Sequence, residues 1–558
     1  MKNVDPVLSK LVLIGTPSVS ALVLASFFLD PVNLPKLLLL VIIAFPAFLL
    51  TIIFSRIEIW AKYRLILVLV SLFVIQAFIS TAFSQKAFVT TFYGENGRNT
   101  GLLTYLCLCS LFLAALTLKT KHQFQLLVNG FLFVATLNIA YSLWVVTTGK
   151  DIIPWTNPYK TILGTFGNPN FLSSFLGISV SIFAIWFLDN SRKKLYRLSS
   201  LLAIPLSLFL IKETNSLQGF LIAALTLSLL SIIWFRSNRL HKINYFLIPS
   251  FFIAGLSSIL GMLQIGPLSN YLYKDSVTYR GEYWQAGLNM ANNSPLVGIG
   301  FDSYGDLFRQ FRESTALVRP GVDVVTNTAH NVYIDILASG GYPLLIAYAG
   351  IQLFALVSAL KVLGKIKSFD STFAGIFLIW IGYQAQSVIS INQIGLAVWG
   401  WVSTAALIAY SHSISDTRLQ SESLSSKRRK TTTQGTTHPI AGTMVILGMV
   451  LGFLLVSPLV LTEANWRHSL EKGSLPGIER NIGKFPKVSA RYQFGIKHLG
   501  GNQLADLAYK YAKEAVVFNP NDYQTWRILI QLPQATEEEK QNARVNLRRL
   551  DPLNPEWK

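Results

Sequence analysis

Long apolar runs separated by short polar stretches dominate the first 460 or so residues of the chain. Because about 20 apolar residues cross a bilayer core of about 30 Å, each long run predicts a membrane-spanning helix. We predict about thirteen spans, at residues 11–29, 34–54, 65–83, 101–118, 124–146, 168–188, 198–211, 217–235, 245–264, 331–360, 372–390, 394–410 and 440–461. The pattern predicts an all-α polytopic membrane bundle of about 12–13 transmembrane helices, with a large extracytoplasmic loop and a small helical C-terminal domain.

The composition agrees with a membrane location. Of the 558 residues, 51% are hydrophobic and 14% are charged, whereas an ordinary soluble domain has about 25% charged residues. The mean hydropathy of +0.44 excludes a disordered chain and argues against a soluble globular protein. The net charge of +20 is explained by basic cytoplasmic loops, so we expect a lipid bilayer around the chain and no nucleic-acid partner.

Lysine and arginine collect in every even-numbered connection between the predicted spans. The clearest examples are the connections at 55–64, 119–123, 189–197 and 361–371 and the run Lys427–Lys430. The positive-inside rule therefore places the N-terminus and the even connections in the cytoplasm. The odd connections and the C-terminal tail then lie outside, which predicts a multi-pass protein of the cytoplasmic (inner) membrane.

The chain divides into four parts. We predict a polytopic membrane domain at 1–410 with its large loop at 265–329, a basic Ser/Thr-rich cytoplasmic linker at 411–439, a final transmembrane helix at 440–461 and a helical extracytoplasmic tail at 462–558.

The tail has its own helical pattern. Ala508, Ala512 and Ala515 fall on one helical face, and Pro520 ends that helix before a new one begins. This arrangement resembles a tetratricopeptide-type helical hairpin, a unit that binds protein partners. A generic helical domain without a partner of its own is the alternative.

Ionisable and amide groups are few on the predicted outer face, and such groups near a membrane mark functional sites. They come from remote parts of the sequence: Arg98, Asn168, Asn170, Lys212, Gln218, Arg280 and His330. Because they share one face of the membrane, we predict a cavity that is open to that face and contains a catalytic or binding site.

His330 lies just before the apolar segment that begins at Asn331. The positive end of that helix's dipole favours the neutral imidazole, which is the form that acts as a base. Asn331 is a plausible cap for the helix. The alternative is an interfacial histidine in the cap with no catalytic role.

Arg280 begins a segment in which Tyr283, Trp284, Gly287 and Met290 recur at helical spacing. The pattern predicts a helix in the membrane interface, with its aromatic side chains at headgroup level. A planar guanidinium at the start of such a helix matches phosphate oxygens two at a time. An exposed arginine that only reaches the membrane surface is the alternative.

Four blocks of the sequence, in order along the chain, resemble the signature of the O-antigen ligase / O-antigen polymerase superfamily. They are Arg98 with Gly101-Leu102-Leu103, then Gly164-Thr165-Phe166-Gly167-Asn168-Pro169-Asn170, then Arg280 with Trp284, Ala286, Pro295 and Gly298-Ile299-Gly300, and last His330-Asn331-Val332-Tyr333 followed by Gly340. Together they span about residues 90–410.

The resemblance implies a bacterial membrane glycosyltransferase with a C-type glycosyltransferase-like fold. Such enzymes take a glycan from a polyprenyl (undecaprenyl) diphosphate carrier and pass it to a hydroxyl of a lipid, glycan or protein acceptor in surface polysaccharide assembly. The family uses neither a metal nor a cofactor. By resemblance His330 is catalytic and Arg280 and Arg98 hold the diphosphate, and the supporting residues are Asn331, Tyr333, Asn168, Asn170 and Gln218.

One element of that family is missing. A Ser-Arg pair near the start of the span at 217–235 is replaced here by a stretch without arginine. Lys212 as a point charge and Gln218 as a neutral donor are the candidates for its role in holding the diphosphate.

Two other functions fit parts of the pattern. A repeat-unit polymerase of the same family would use the same residues, and a secondary transporter would also have many spans and a basic outer cavity. Transporters often show internal repeats and polar groups near the middle of the bilayer, whereas here the polar groups lie at one face. No Gly-rich phosphate-binding loop supports ATP-driven transport, and no Cys/His cluster or carboxylate spacing predicts a metal.

Overall fold

The computed structural model describes residues 5–238, 240–423 and 440–557, which form helices joined by loops. Ten helical segments are long and apolar enough to cross a membrane, and two shorter apolar helices accompany them. One of the ten, Asn33–Ala82, bends and covers two predicted spans. The prediction of an all-α polytopic membrane bundle is confirmed, while the basic run at Lys427–Lys430 lies outside the described residues.

The helices follow one another along the chain in four groups. The first group is α1 (Asp5–Ala21), α2 (Asn33–Leu50), α3 (Arg56–Ala82), α4 (Phe88–Tyr93), α5 (Leu102–Ala115), α6 (Lys121–Thr148), α7 (Pro169–Leu188), α8 (Lys194–Glu213), α9 (Gln218–Ser237) and α10 (Asn244–Met262). The large loop contains α11 (Ser269–Leu272), α12 (Asp275–Asn293) and α13 (Tyr304–Phe311). The bundle is completed by α14 (Val332–Lys365), α15 (Ser371–Ile389), α16 (Ile394–Ser423) and α17 (Ala441–Glu471). The tail contains α18 (Leu475–Ile482), α19 (Ser489–Gly501), α20 (Ala505–Phe518), α21 (Tyr523–Gln531) and α22 (Glu537–Leu550).

The first helix lies earlier in the chain than the apolar run at 11–29 predicts, because α1 ends at Ala21. The carbonyl groups at the end of a helix have no partner within the helix. Here the buried ammonium of Lys36, on α2, satisfies them at distances of 2.7–3.3 Å, by donating to the carbonyl oxygens of Val19, Ser20 and Leu22. The apolar residues that follow form the loop to α2 instead of more helix.

The odd-numbered connections between the predicted spans meet at one end of the bundle. Asn33 Nδ2 donates to the carbonyl of Gly97 at 2.7 Å, which joins the first connection to the third. Thr161 Oγ1 donates to the carbonyl of Glu213 at 2.5 Å, which joins the fifth to the seventh. We call this the loop end of the bundle.

The even-numbered connections meet at the other end. Lys119 and Glu58 form an ion pair at 2.9 Å, and Lys121 and Asp370 form another at 3.3 Å. These pairs join the second, fourth and tenth connections. The chain therefore alternates between the two ends as the predicted span count requires.

The tail is attached to the bundle through α17, which continues beyond residue 461 to Glu471. Arg491 of α19 and Glu463 of α17 form an ion pair at 2.8 Å, and both side chains are buried. In the tail itself, α19 packs on α20 and α21 packs on α22. The three alanines that share a face, Ala508, Ala512 and Ala515, are buried in the core of the tail.

The tail also docks on the large loop. The carboxylate of Asp551 pairs with Arg309 at 2.9 Å and with Arg312 at 2.8 Å, and all three side chains are buried. The guanidinium of Arg309 lies 4.3 Å from the ring centroid of Tyr523. Since buried charges need close partners, these contacts fix the tail against the loop end of the bundle.

Candidate active site

Helix α14 is broken near its start, and the break receives a turn of the large loop. Gly341 has φ +70°, and the amide of Tyr342 donates to the carbonyl of Pro295 at 2.9 Å. The amide of Ile299 donates to the carbonyl of Ala338, also at 2.9 Å. A Cβ atom on Gly341 would lie 2.4 Å from the oxygen of Pro295, so only glycine permits this approach. The turn fixes the large loop against the first part of α14.

Helix α12 packs its aromatic face on protein. Tyr283 and Met290 of α12 form a buried cluster with Tyr304 and Phe308 of α13 and with Ala329. The sequence pattern predicted this face at headgroup level, whereas the structure shows it covered by α13 and the start of α14. Packing on both elements holds α12 in a defined position beside them.

His330 lies between this cluster and the start of α14. Its backbone has φ +53°, in the left-handed region that non-glycine residues rarely adopt and that is enriched at functional sites. Its amide donates to Thr328 Oγ1 at 3.0 Å. Asn331 caps α14, as predicted, by accepting hydrogen bonds from the amides of Tyr333 at 3.0 Å and Ile334 at 3.2 Å.

The imidazole of His330 is held in its neutral form. Burial lowers its pKa from 6.5 to about 4, and the positive charges of Arg280 and Arg98 act in the same direction. Within the part of the chain that the structure describes, its ring nitrogens make no hydrogen bond, so they are available to a substrate. Sequence reasoning attributed the neutral form to the helix dipole, whereas burial and the two arginines account for it here.

Arg280 lies on α12, one turn before Tyr283. Its guanidinium is half-buried, and burial lowers its pKa from the ordinary value. Its guanidinium makes no ion pair or hydrogen bond with any residue that the structure describes. A half-buried cation without a partner is a strong binding site for an anion, since little competing interaction has to be broken.

Arg98, in contrast, is committed to protein groups. Its guanidinium donates to the carboxylate of Asp302 and to the carbonyl of Asn327. The same carboxylate accepts hydrogen bonds from the amides of Glu95 at 2.9 Å and Thr100 at 3.1 Å. Burial raises the pKa of Asp302, but the Arg98 charge and these hydrogen bonds lower it below the ordinary value. Asp302 was missed as a site residue, because a lone aspartate in a long loop gives no signal of its partner.

Lys212 and Gln218 flank the short connection between α8 and α9. Lys212 is exposed and makes no hydrogen bond or ion pair within the described residues. Gln218 is buried, and neither the oxygen nor the nitrogen of its side-chain amide has a hydrogen-bond partner among the described residues. The carbonyl of Asn215, between them, accepts a hydrogen bond from Lys274 at 3.3 Å. This contact places the connection beside the start of α12.

The remaining predicted residues hold backbone and neighbouring side chains. Asn168 caps α7 by accepting from the amide of Asn170 at 2.9 Å, and its Nδ2 donates to the hydroxyl of Tyr159 at 3.0 Å. The hydroxyl of Tyr333 donates to Gln384 Oε1 at 2.6 Å. These side chains order the loop end rather than present free groups.

The structure divides the predicted residues into two sets. A cavity of about 500 Å³ at the loop end is lined by Arg98 and Asn168, but not by His330, Arg280 or Lys212. His330 and Arg280 form the second set, and the charge of Arg98 reaches it. Within the described residues, no group of three or more His, Cys, Asp and Glu side chains is placed to hold a metal ion.

The bundle, with a neutral histidine and an arginine that has no partner among the described residues, defines a polytopic membrane protein with a candidate active site at its loop end. Residues 201–349 match the family model described as O-Antigen ligase, and this stretch contains Arg280, His330 and the broken part of α14. The match confirms the resemblance to the O-antigen ligase superfamily and indicates a glycosyltransferase-like membrane enzyme. No curated protein matches the chain.

Proposed function

We propose that this protein is an O-antigen ligase-like glycosyltransferase that moves a glycan from a polyprenyl diphosphate carrier to an acceptor hydroxyl. The observation that carries the proposal is the position of Arg280 one turn before Tyr283, whose ring centroid lies 5.7 Å from that of His330. Arg280 is half-buried without a partner in the part of the chain that the structure describes, and its charge helps to lower the pKa of His330 to about 4. A free cation next to a neutral base supplies the two groups that this transfer needs.

Arg280 is the group that stabilises the diphosphate leaving group. The carrier's diphosphate gains negative charge as its bond to the sugar breaks, and a preorganised guanidinium stabilises that charge. Arg280 binds two phosphate oxygens at once, and Lys212 supplies a further point charge from the adjacent connection. Arg98 acts by its field and by ordering the loop that contains it, because its two terminal nitrogens are engaged with Asp302 and Asn327.

The imidazole of His330 activates the acceptor hydroxyl. A sugar or lipid hydroxyl is a poor nucleophile, and a positioned base typically contributes about 10²–10⁴-fold. The unprotonated nitrogen of His330 takes the hydroxyl proton while the oxygen forms its bond to the anomeric carbon. The bond to the diphosphate breaks on the opposite face, so the anomeric configuration inverts. The carrier diphosphate leaves with the electron pair.

The distribution of basic residues supports a site outside the cytoplasm. Lysine and arginine cluster at the end of the bundle opposite the loop end, where the Lys119–Glu58 and Lys121–Asp370 pairs lie. By the positive-inside rule that end is cytoplasmic. The loop end, with His330 and the docked tail, then faces the extracytoplasmic side of the inner membrane. We propose a C-type glycosyltransferase-like fold for the bundle, and a tetratricopeptide-like role in partner binding for the tail.

Deletion of the gene tests the function and separates ligase from polymerase. Loss of a surface glycan with finished chains left on the carrier identifies a ligase, whereas single carrier-linked repeats identify a polymerase of the same family. An unchanged set of surface glycans and carrier-linked species contradicts both.

Complementation assigns the role of His330. The wild-type gene restores the glycan, and His330→Ala does not, although the variant protein is inserted at the same level. His241→Ala, at an exposed histidine near the opposite end of the bundle, is the matched control and restores the glycan fully. Full restoration by His330→Ala would remove the proposed base.

A further inference from the structure

The cavity of about 500 Å³ at the loop end has walls from distant parts of the chain. They include the first, third, fifth and eleventh connections and the last turns of α17. It adjoins the proposed active site through Arg98, which lines the cavity and donates a hydrogen bond to the carbonyl of Asn327, three residues before His330. The chemistry of its walls indicates what it binds.

Side-chain amides form the polar part of the wall, and each is fixed by a neighbour. Asn33 accepts a hydrogen bond from Gln393 at 3.3 Å and donates to the carbonyl of Gly97 at 2.7 Å. Asn392 accepts from the hydroxyl of Tyr383 at 3.2 Å. An amide has two N–H groups and two lone pairs, so a fixed amide still has hydrogen bonds to give to a ligand.

Aromatic rings form the apolar part of the wall. The indole of Trp155 is oriented by a hydrogen bond of 2.7 Å from its Nε1 to Asp151. Tyr159 is 49% exposed, and its hydroxyl is held by Asn168 at 3.0 Å. Oriented rings beside fixed amides suit a sugar, whose C–H face packs on a ring while its hydroxyl groups exchange hydrogen bonds with amides.

The charged groups in the wall are already compensated. Arg98 is paired with Asp302, and Arg467 with Glu471 at 2.7 Å. The carboxylate of Asp30 accepts hydrogen bonds from the amides of the two residues at the start of α2, and burial raises its pKa toward the neutral form. Among the described residues, the two wall cations Arg98 and Arg467 are thus both paired, in contrast to Arg280.

We infer that this cavity is a subsite for uncharged sugar units, with Trp155 and Tyr159 as its stacking surface. The inference rests on the proposed function, because it assigns sugars to a cavity adjoining the transfer site. One part of the wall is formed by Arg467 and Glu471, which lie in the last turns of α17, the helix that leads into the tail. The subsite is therefore completed by the C-terminal part of this chain.

Direct binding tests the inference without requiring transfer. The full-length protein is purified in lipid nanodiscs in the His330→Ala background, and titrated with maltotetraose, cellotetraose and chitotetraose as neutral probes. Tetragalacturonate is the acidic probe of the same length. We expect at least one neutral probe to bind, and Trp155→Ala to weaken its binding roughly tenfold, the loss expected for one aromatic stack.

Trp144→Ala is the control, because Trp144 is an accessible tryptophan, 51% exposed, that lies outside the cavity wall. Tyr159→Ala provides a second test if Trp155→Ala lowers the melting temperature. Failure of every neutral probe to bind, equal binding by Trp155→Ala and Tyr159→Ala, or tighter Trp155-dependent binding of tetragalacturonate would overturn the inference. None of these results affects the transfer function, which complementation with His330→Ala tests separately.

Discussion

The ring centroid of Tyr283 lies 5.7 Å from that of His330, with the two rings inclined by 32°. This contact ties α12 to the start of α14 across the whole second half of the large loop. It also sets the distance between His330 and Arg280, which lies one turn before Tyr283 on the same helix. The packing of α12 therefore fixes Arg280, the proposed phosphate-binding residue, relative to His330, the proposed base.

The transfer rate should depend on pH through His330. Its pKa of about 4 in the folded protein, against 6.5 for the ordinary group, keeps it neutral down to acidic pH. We expect a level rate from neutral pH until the pH approaches 4, and a fall below that value. A pH–rate profile in liposomes measures this, and an acid limb near 6.5 would contradict it.

The same shift has a consequence for stability. The unfolded histidine binds a proton near pH 6.5 and the folded one only near pH 4. The unfolded state therefore carries the extra proton between these values, so the free energy of unfolding falls as the pH falls through this window. His330→Ala should remove this part of the pH dependence, which thermal melting in detergent at several pH values would detect.

Substitution of Arg280 should alter both the rate and the pH profile. Arg280→Gln removes a charge that lowers the pKa of His330, so the acid limb moves to higher pH. Loss of one charge-assisted hydrogen bond, worth about 1.5–3 kcal/mol, lowers the rate roughly 10–200-fold, and loss of two lowers it further. Arg280→Lys keeps the charge and the acid limb but recovers little of the rate, because an ammonium cannot bind two oxygens in one plane. Wild-type rates for Arg280→Lys would contradict the bidentate contact.

Asp302 should be essential for the fold around Arg98. Its side chain is 2% exposed, and Asp302→Asn leaves the buried guanidinium without its counter-ion. Breaking a buried ion pair costs about 3–5 kcal/mol, so we expect a large loss of melting temperature. Asp323→Asn is the control, because that side chain is 85% exposed and its partner Arg527 lies 4.0 Å away. Similar melting temperatures for the two variants would show that the Arg98–Asp302 pair does not stabilise the loop end.

Asp551 should hold the tail on the large loop. Asp551→Asn removes the shared partner of Arg309 and Arg312, and the two buried cations then repel each other. We expect faster cleavage of the tail in limited proteolysis, while the membrane helices stay intact. Glu556→Gln, at an exposed position nearby, should leave the cleavage rate unchanged. Equal cleavage of the two variants would mean that the tail is held elsewhere.

The orientation in the membrane can be read by cysteine labelling. The native Cys107 and Cys109 are buried, so a membrane-impermeant maleimide should not react with the wild-type protein. We expect Glu556→Cys to be labelled in spheroplasts, and Lys193→Cys only after the membrane is opened. The reverse pattern would invert the proposed topology.

The sequence alone determined the membrane class and indicated which residues to consider for the candidate site. Apolar runs predict spans because the bilayer imposes a local length requirement that needs no knowledge of tertiary contacts. The capping role of Asn331 was also predictable, because a cap is a local interaction. Its side chain accepts hydrogen bonds from the amides two and three residues further along the chain. The ordered motifs then brought His330 and Arg280 to attention, although nothing in the motifs showed what surrounds them.

The tertiary structure alone decided which charges are free. The sequence does not distinguish Arg98 from Arg280. In the fold, Arg98 pairs with Asp302, which is 204 residues away in the chain, whereas Arg280 contacts no carboxylate in the described part of the chain. The end of α1 depends in the same way on Lys36, and the docking of the tail depends on Asp551. Ion pairs act over a few ångströms in space, and only folding brings such remote groups within that distance.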